Sequence, residues 1–251
     1  SAAVLTGVQL WPVEGLHQEE TIASLHKYIR PKSGLLPVTS LLCLENTHNR
    51  GGGTVVDKNF IYQIVAKAKE YGLKIHLDGA RIFNAATYLN CPAPDLVKGI
   101  DSVMFSLSKG LGAPVGSMLV GSKDFIQKAR KNRKLLGGGM RQVGVLAAAG
   151  LEALKRIPRL KDDHDNAYML AKGLKTIPQL TLDLNKVHTN IIIVDVAKTG
   201  YSDNEFVKLL GEKGIKASSF GNQLVRFVTH KDVTTGDIEY TIKILQESFK
   251  S

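Results

Sequence analysis

Short apolar runs alternate with amphipathic stretches along most of this 251-residue chain, and that alternation limits the fold more than any other feature. Residues 39–44, 74–77, 102–107 and 117–120 are each too short for a helix. Polar or glycine-rich segments bound them, which marks them as strands. The first reads as a buried strand. Residues 58–71 place Phe60, Ile61, Ile64, Val65 and Ala68 on one helical face, with Asp57 as N-cap and Gly72 as the glycine past the end. Residues 21–29, 142–156 and 162–176 also read as helices. Beyond them come strands at 190–196 and 224–229 and helices at 203–212 and 237–249. Such alternation predicts an α/β fold with a largely parallel sheet. A boundary near residue 160, within residues 159–165, divides a large domain (1–160) from a smaller C-terminal α/β domain (161–251). Residues 1–5 lead into a strand-like stretch ending near Trp11 and Pro12. That abrupt start predicts a chain that begins inside a domain, with an upstream segment absent.

In open α/β sheets, ligands gather at the carboxyl ends of the strands. Three groups fall there: the loop ENTHN after the first strand, Asp78 in HLDGAR, and Lys109 in SLSKGLG. An acid and a lysine at the ends of two separate strands fit pyridoxal phosphate. That cofactor takes a lysine for its Schiff base and an acid facing its ring nitrogen. Alone, Asp78 before Gly79 would be turn chemistry and Lys109 a surface lysine. Together, each ending an apolar strand, they favour the cofactor. Ser106, three residues before Lys109, places a hydroxyl within reach of a cofactor phosphate. Gly110, Gly112 and Gly116 allow close backbone approach.

Five runs carry a resemblance that covers essentially the whole chain: LLCLENTHNRGGG (41–53), KIHLDGARIFNAA (74–86), SLSKGLGAPVGSMLVG (106–121), LLGGGMRQVGVLAAAG (135–150) and LVRFVTH (224–230). They resemble the low-specificity threonine aldolases, members of the aspartate-aminotransferase-like, fold type I pyridoxal-phosphate enzymes. The resemblance implies a mostly parallel central sheet flanked by helices plus a smaller domain. It implies cleavage of L-threonine or L-allo-threonine to glycine and acetaldehyde. It matches Lys109 to the Schiff-base lysine and Asp78 to the acid on the pyridine nitrogen. Arg81 matches an arginine near the substrate carboxylate and the cofactor's phenolic oxygen. Arg226 matches the small-domain arginine that clamps the α-carboxylate, and Thr47, with Glu45 and Asn46, the loop beside the cofactor. Met140, Arg141 and Gln142 are placed at a subunit contact near a cofactor phosphate. His76 shares a strand face with Asp78 and is expected to be packed and hydrogen-bonded. His48 and His230 are expected to be structural or solvent-facing. The resemblance also implies a homo-oligomer, a dimer or tetramer, acting on a small amino acid.

The chain departs from the family pattern in two places. A Gly-Thr phosphate turn, a stacking histidine and an N-terminal serine, normally carried upstream, have no counterparts here. Leu35 and Leu36 stand where some members carry a second histidine. Pocket contacts set substrate choice, which keeps an aminotransferase or a β-eliminating lyase open, and these departures keep open a catalytically incomplete fragment acting as an interaction partner. They also predict unpaired strand edges and exposed apolar surface.

Charge and cysteine content narrow the partners. Lys and Arg total 33 against 23 Asp and Glu, a net charge of +10 that favours anionic ligands. The densest basic cluster (Lys123, Lys128, Arg130, Lys131, Arg133, Lys134) lacks the interleaved aromatics of single-strand binders, so no nucleic-acid partner is expected. No apolar run approaches the ~20 residues of a spanning helix, and no membrane association is expected. Cys43 and Cys91 are too few for a disulfide scaffold or a zinc site. No metal site is expected. The two cysteines point to a reducing compartment, the cytoplasm, with the mitochondrion open because a transit peptide would lie upstream.

Overall fold

Helix α3 (Lys58–Glu70) forms where the apolar spacing places it. The Asp57 side chain accepts a hydrogen bond from the Asn59 amide at 2.7 Å, and Gly72 ends the helix with φ +69°. Its apolar face is buried against Leu42, Leu44, Ile75, Leu77 and Val103, which come from three strands. Those strands are β1 (Leu41–Glu45), β2 (Lys74–Asp78) and β3 (Ser102–Ser106). The computed structural model describes residues 2–249. Expectations that reach Ser1, Lys250 or Ser251 lie outside the described residues at those positions.

The first sheet has the order β1-β2-β3-β4, with β4 spanning Ser117–Gly121. β1, β2 and β3 are parallel, and β4 is antiparallel to β3. Register puts Glu45 opposite Asp78 and Asp78 opposite Met104, so the strands end at one level. The buried-strand reading of residues 39–44 needs correction. β1 starts at Leu41, and its alternate residues Leu41 and Cys43 are exposed. Only one face of β1 is covered among the described residues, although parallel strands are commonly covered on both. All five residues of β4 are exposed, including Met118, Leu119 and Val120.

The strand-like start is a second correction: residues 7–13, which include Trp11 and Pro12, have no regular structure, and a helix precedes them. Residues 2–6 form a short helix, α1 (Ala2–Thr6), closed by the Thr6 hydroxyl on the Ala2 carbonyl at 2.8 Å. A short apolar run does not distinguish helix from strand by periodicity alone. α2 (Glu19–Ser24) continues into a 3-10 turn, Leu25–Tyr28. α4 (Ile82–Tyr88) follows β2. α5 (Lys123–Leu135) and α6 (Gly144–Leu154) follow β4. α5 was visible in the sequence only as a basic cluster. Its N-cap is Ser122, which accepts from the Phe125 amide at 3.3 Å.

α7 (Leu160–Lys175) leads into a second, antiparallel sheet ordered β5-β7-β6. Its strands are β5 (Ile191–Asp195), β6 (Ser218–Gly221) and β7 (Leu224–Val228). α8 (Asp203–Glu212) and α9 (Thr235–Ser248) each begin with a reciprocal cap, Ser202 with Glu205 and Thr234 with Asp237. Ile192, Val194, Val225 and Phe227 from one sheet face pack with Leu170, Leu174, Phe206, Leu210, Ile238 and Leu245. The opposite face, carrying Ile193 and Arg226 as a cross-strand pair, turns toward the glycine loop after β1: a Cβ on Gly52 would lie 3.1 Å from Ile193.

A buried polar seam joins the two sheets' layers. Asn84 on α4 donates to His164 Nε2 on α7 at 3.0 Å, and burial pushes the His164 pKa down to about 4. Asp165 and Lys161 act on this imidazole in opposite senses, and burial outweighs both. The unfolded chain takes up this proton near its ordinary 6.5, so native stability is full above that pH and falls as pH drops toward 4. By pH 4.5 the loss is about 2.5 kcal/mol. Asp163, whose carboxyl burial raises despite its Arg159 partner, acts oppositely on the lower edge of this window. Urea unfolding at pH 7 and pH 4.5 should therefore show a smaller drop in His164→Gln than in the unaltered chain. Equal drops would refute this account of His164.

Candidate active site

The site is assembled where the parallel strands end. The ladder continues one bond past β1, with the Asn46 amide donating to the Asp78 carbonyl at 3.0 Å. Asn46 then pins the following loop by two bonds with Val56: its Nδ2 donates to the carbonyl at 3.1 Å, and its Oδ1 accepts from the amide at 3.2 Å. Glu45 Oε1 accepts the Asn49 amide at 3.0 Å, which fixes Asn49 over the strand end. Gly53, at φ +76°, lets the loop approach β5, because a Cβ there would stand 2.7 Å from Thr189 Oγ1.

Asp78 closes β2, and its Oδ1 accepts the Ala80 amide at 3.0 Å. The turn reading of this aspartate is thus correct as local structure. It leaves Oδ2 without a hydrogen-bond partner among the described residues. Gly79 is needed for this turn, since a Cβ would lie 2.9 Å from the Met104 carbonyl. The turn delivers Arg81, half-buried, to the N-cap of α4. Lys109 follows β3 on a tight turn in which the Gly112 amide donates to the Lys109 carbonyl at 2.8 Å. The Leu107 amide reaches the Gly116 carbonyl at 2.9 Å.

These groups share one electrostatic field. Partial burial, and then the Arg81 guanidinium, hold the Lys109 ammonium below the usual lysine range; Asp78 and Glu45 oppose them. Burial and Arg226 likewise lower Arg81, against Glu45 and Asp78. Arg226 rises from the middle of β7. Its Nη1 donates to Asn49 Oδ1 at 3.3 Å, and its guanidinium carbon is 5.6 Å from the centre of the Phe220 ring. Acid, lysine and two arginines therefore converge from the loops after β2 and β3 and from the second sheet.

Two buried polar atoms in this region have no hydrogen-bond partner among the described residues, Thr47 Oγ1 and Arg226 Nε. A buried donor without a partner costs about 1–3 kcal/mol, so each is suited to a ligand. With the free Lys109 amine and the open Asp78 oxygen, this donor set fits pyridoxal phosphate.

The remaining expected residues are distributed as follows. Ser106 is buried at the end of β3, opposite Ser117. His76 is half-buried, with Nδ1 2.8 Å from Ser102 Oγ, and burial lowers its pKa. His48 is half-buried, 5.8 Å from the His17 ring, and His230 is exposed beside Asp232. Met140, Arg141 and Gln142 are exposed ahead of α6. Asn49 and Phe220, which hold Arg226, were not identified from sequence. Asn49 had a signal in its polar loop, whereas Phe220 lies in a stretch with no strand pattern.

The architecture is that of the fold type I pyridoxal-phosphate enzymes. The chain belongs to the beta-eliminating lyase family, whose model matches residues 1–199. A low-specificity L-threonine aldolase of Arabidopsis thaliana is 44% identical over 86% of this chain and 61% of its own length. The low specificity L-threonine aldolase of Escherichia coli is 39% identical over 93% of the chain and 68% of its own length. The chain thus spans about two thirds of the length of these relatives. Among solved structures, a Leishmania major threonine aldolase superposes with a TM-score of 0.72 at 18% identity. That match covers 91% of this chain and 67% of the other. No helix among the described residues is long and apolar enough to cross a membrane.

Proposed function

We propose that this chain binds pyridoxal phosphate and cleaves L-threonine and L-allo-threonine between Cα and Cβ, giving glycine and acetaldehyde. The observation that carries the reading is the convergence of Asp78, Lys109, Arg81 and Arg226 in a chain 39% identical to a threonine aldolase across most of its length. Bound pyridoxal phosphate supplies an electron sink for the pair left on Cα when that bond breaks.

The chain's own residues do the rest. Lys109 Nζ is the amine that would hold the cofactor's aldehyde carbon. Its lowered pKa leaves more of it uncharged near neutrality, the form in which an amine is nucleophilic. Asp78 would pair with the ring nitrogen and keep a proton on it. Arg226 presents a two-pronged guanidinium to the substrate carboxylate. Arg81 adds positive charge on the same side. Fixing the carboxylate orients the Cα–Cβ bond, so the choice of bond broken is a matter of geometry. The Thr47 and Ser106 hydroxyls would be available to the cofactor as polar contacts.

In this reading the chain has a large cofactor-binding domain, residues 1–160, and a small domain, residues 161–251, and works as a homo-oligomer. The two free cysteines, Cys43 and Cys91, support a reducing compartment, the cytoplasm.

The test is product analysis. Supplied with pyridoxal phosphate and either substrate, the chain should release glycine and acetaldehyde in equal amounts. A keto acid formed from threonine without glycine would replace this reading with an aminotransferase or a β-eliminating lyase. No turnover of either substrate would refute the proposed activity for this chain.

A further inference from the structure

Helix α4 faces two ways. Its N-cap is Arg81, one of the site's two arginines. One turn further on, Asn84 is buried and points at the second sheet's layer, and Tyr88 stacks on His188 with ring centres 4.6 Å apart. Both Asn84 amide hydrogens are engaged, one on His164 Nε2 at 3.0 Å and one on Asn190 Oδ1 at 3.4 Å. Asn190 passes the contact on, since its Nδ2 donates to the Thr229 carbonyl at 2.8 Å. The Thr229 hydroxyl in turn donates to the Asp163 carbonyl on α7 at 2.6 Å. Arg226 lies three residues before Thr229.

The neighbouring residues join the same clasp. The Thr189 hydroxyl donates to the Gly53 carbonyl at 2.8 Å, and the Val55 amide donates to His188 Nδ1 at 2.9 Å. Residues 188–190 are therefore tied to the glycine loop and to α4 just before β5 starts. β5 is the strand that pairs with Arg226's strand. The mechanism uses none of these side chains. Asn84, His164, Asn190 and Thr229 are all under a tenth exposed. Directional bonds among buried groups fix geometry in a way apolar packing does not. Moving this seam would move Arg226 relative to Arg81 and Lys109.

We propose that Asn84 is a positioning residue: through His164 and Asn190 it sets the second sheet on α4 so that Arg226 and Arg81 meet one substrate carboxylate. The inference rests on the activity proposed above, and its test separates the two. Asn84→Leu keeps the volume and removes both donors. His164→Gln keeps an acceptor for Asn84 and serves as the conservative control. Two readouts are needed, threonine kcat and KM, and amide hydrogen exchange across the chain.

In Asn84→Leu, KM for threonine should rise tenfold or more while kcat stays within threefold. Exchange at the Val55 and Thr229 amides should quicken at least tenfold, with Leu77 and Phe227 inside the strands unchanged. His164→Gln should keep KM within threefold of the unaltered chain. An unchanged KM in Asn84→Leu, a raised KM without faster exchange at the seam, or equal losses in both variants would overturn the proposal. If the unaltered chain cleaves no threonine, the functional reading fails on its own. Exchange then decides the seam: acceleration confined to Val55 and Thr229 upholds the clasp, and unchanged rates end it.

Discussion

Lys109→Ala should leave a folded chain that no longer holds pyridoxal phosphate covalently and has lost threonine cleavage by on the order of 10³-fold or more. The side chain stays largely accessible to solvent despite its partial burial and makes no hydrogen bond among the described residues, so unfolding should be almost unchanged. The check is borohydride reduction after incubation with the cofactor, followed by peptide mass analysis. The unaltered chain should gain one cofactor-sized increment on the peptide containing Lys109, and the variant none. Cofactor fixed at a different lysine, or normal turnover by Lys109→Ala, would defeat the assignment. The field around Lys109 adds a sign that can be measured. Arg81 holds the ammonium down, so Arg81→Met removes a positive neighbour and should raise the Lys109 pKa. Covalent attachment would then require a higher pH than in the unaltered chain. A shift to lower pH would mean that Arg81 does not face Lys109.

Much of the layered frame could be read from the sequence because period and chain punctuation agreed. α3 carries its cap, its apolar face and its terminal glycine in one stretch, and α8 matches its expected bounds. The failures have physical causes. β6 (SSFG) has no apolar alternation, and it is held as a strand by pairing with β7, a tertiary effect. In α5 charged residues outnumber apolar ones, and none of its residues is buried, so local propensity and capping sustain it without a core face. β1 was read as a buried strand, yet its alternate residues are exposed, because an apolar run records what a strand can bury and not what lies over it.

The candidate site divides along a similar line. Asp78 and Lys109 were legible because each ends an apolar strand, and strand ends in an α/β sheet converge. Arg226 was identified only through resemblance, since an arginine within a strand carries no local mark of function. The seam behind it could not be read at all. His164 and Asn190 lie 80 and 106 residues from Asn84 in the chain. Each looks like an ordinary polar residue until the fold removes water from around it. Burial then turns them into a set of obligatory partners.

Arg226 carries the second large effect, and its two substitutions should differ. Arg226→Gln removes the charge and the fork, which at about 3–4 kcal/mol for two charge-assisted bonds corresponds to a loss of roughly 10²–10³-fold in kcat/KM for threonine. Arg226→Lys keeps a positive charge but offers a point donor on a flexible stem, so it should recover only part of that loss. Neither change should prevent covalent attachment of the cofactor at Lys109, because Arg226 comes from the second sheet while Lys109 and Asp78 come from the first. Arg226 also lowers the Arg81 pKa, so the two guanidiniums act on each other. A substrate analogue in which the carboxylate is replaced by a neutral amide gives the control. The unaltered chain should discriminate strongly against the amide, and Arg226→Gln should discriminate weakly. If Arg226→Gln keeps full preference for the carboxylate, the clamp lies elsewhere, and Arg81 alone would have to hold the substrate.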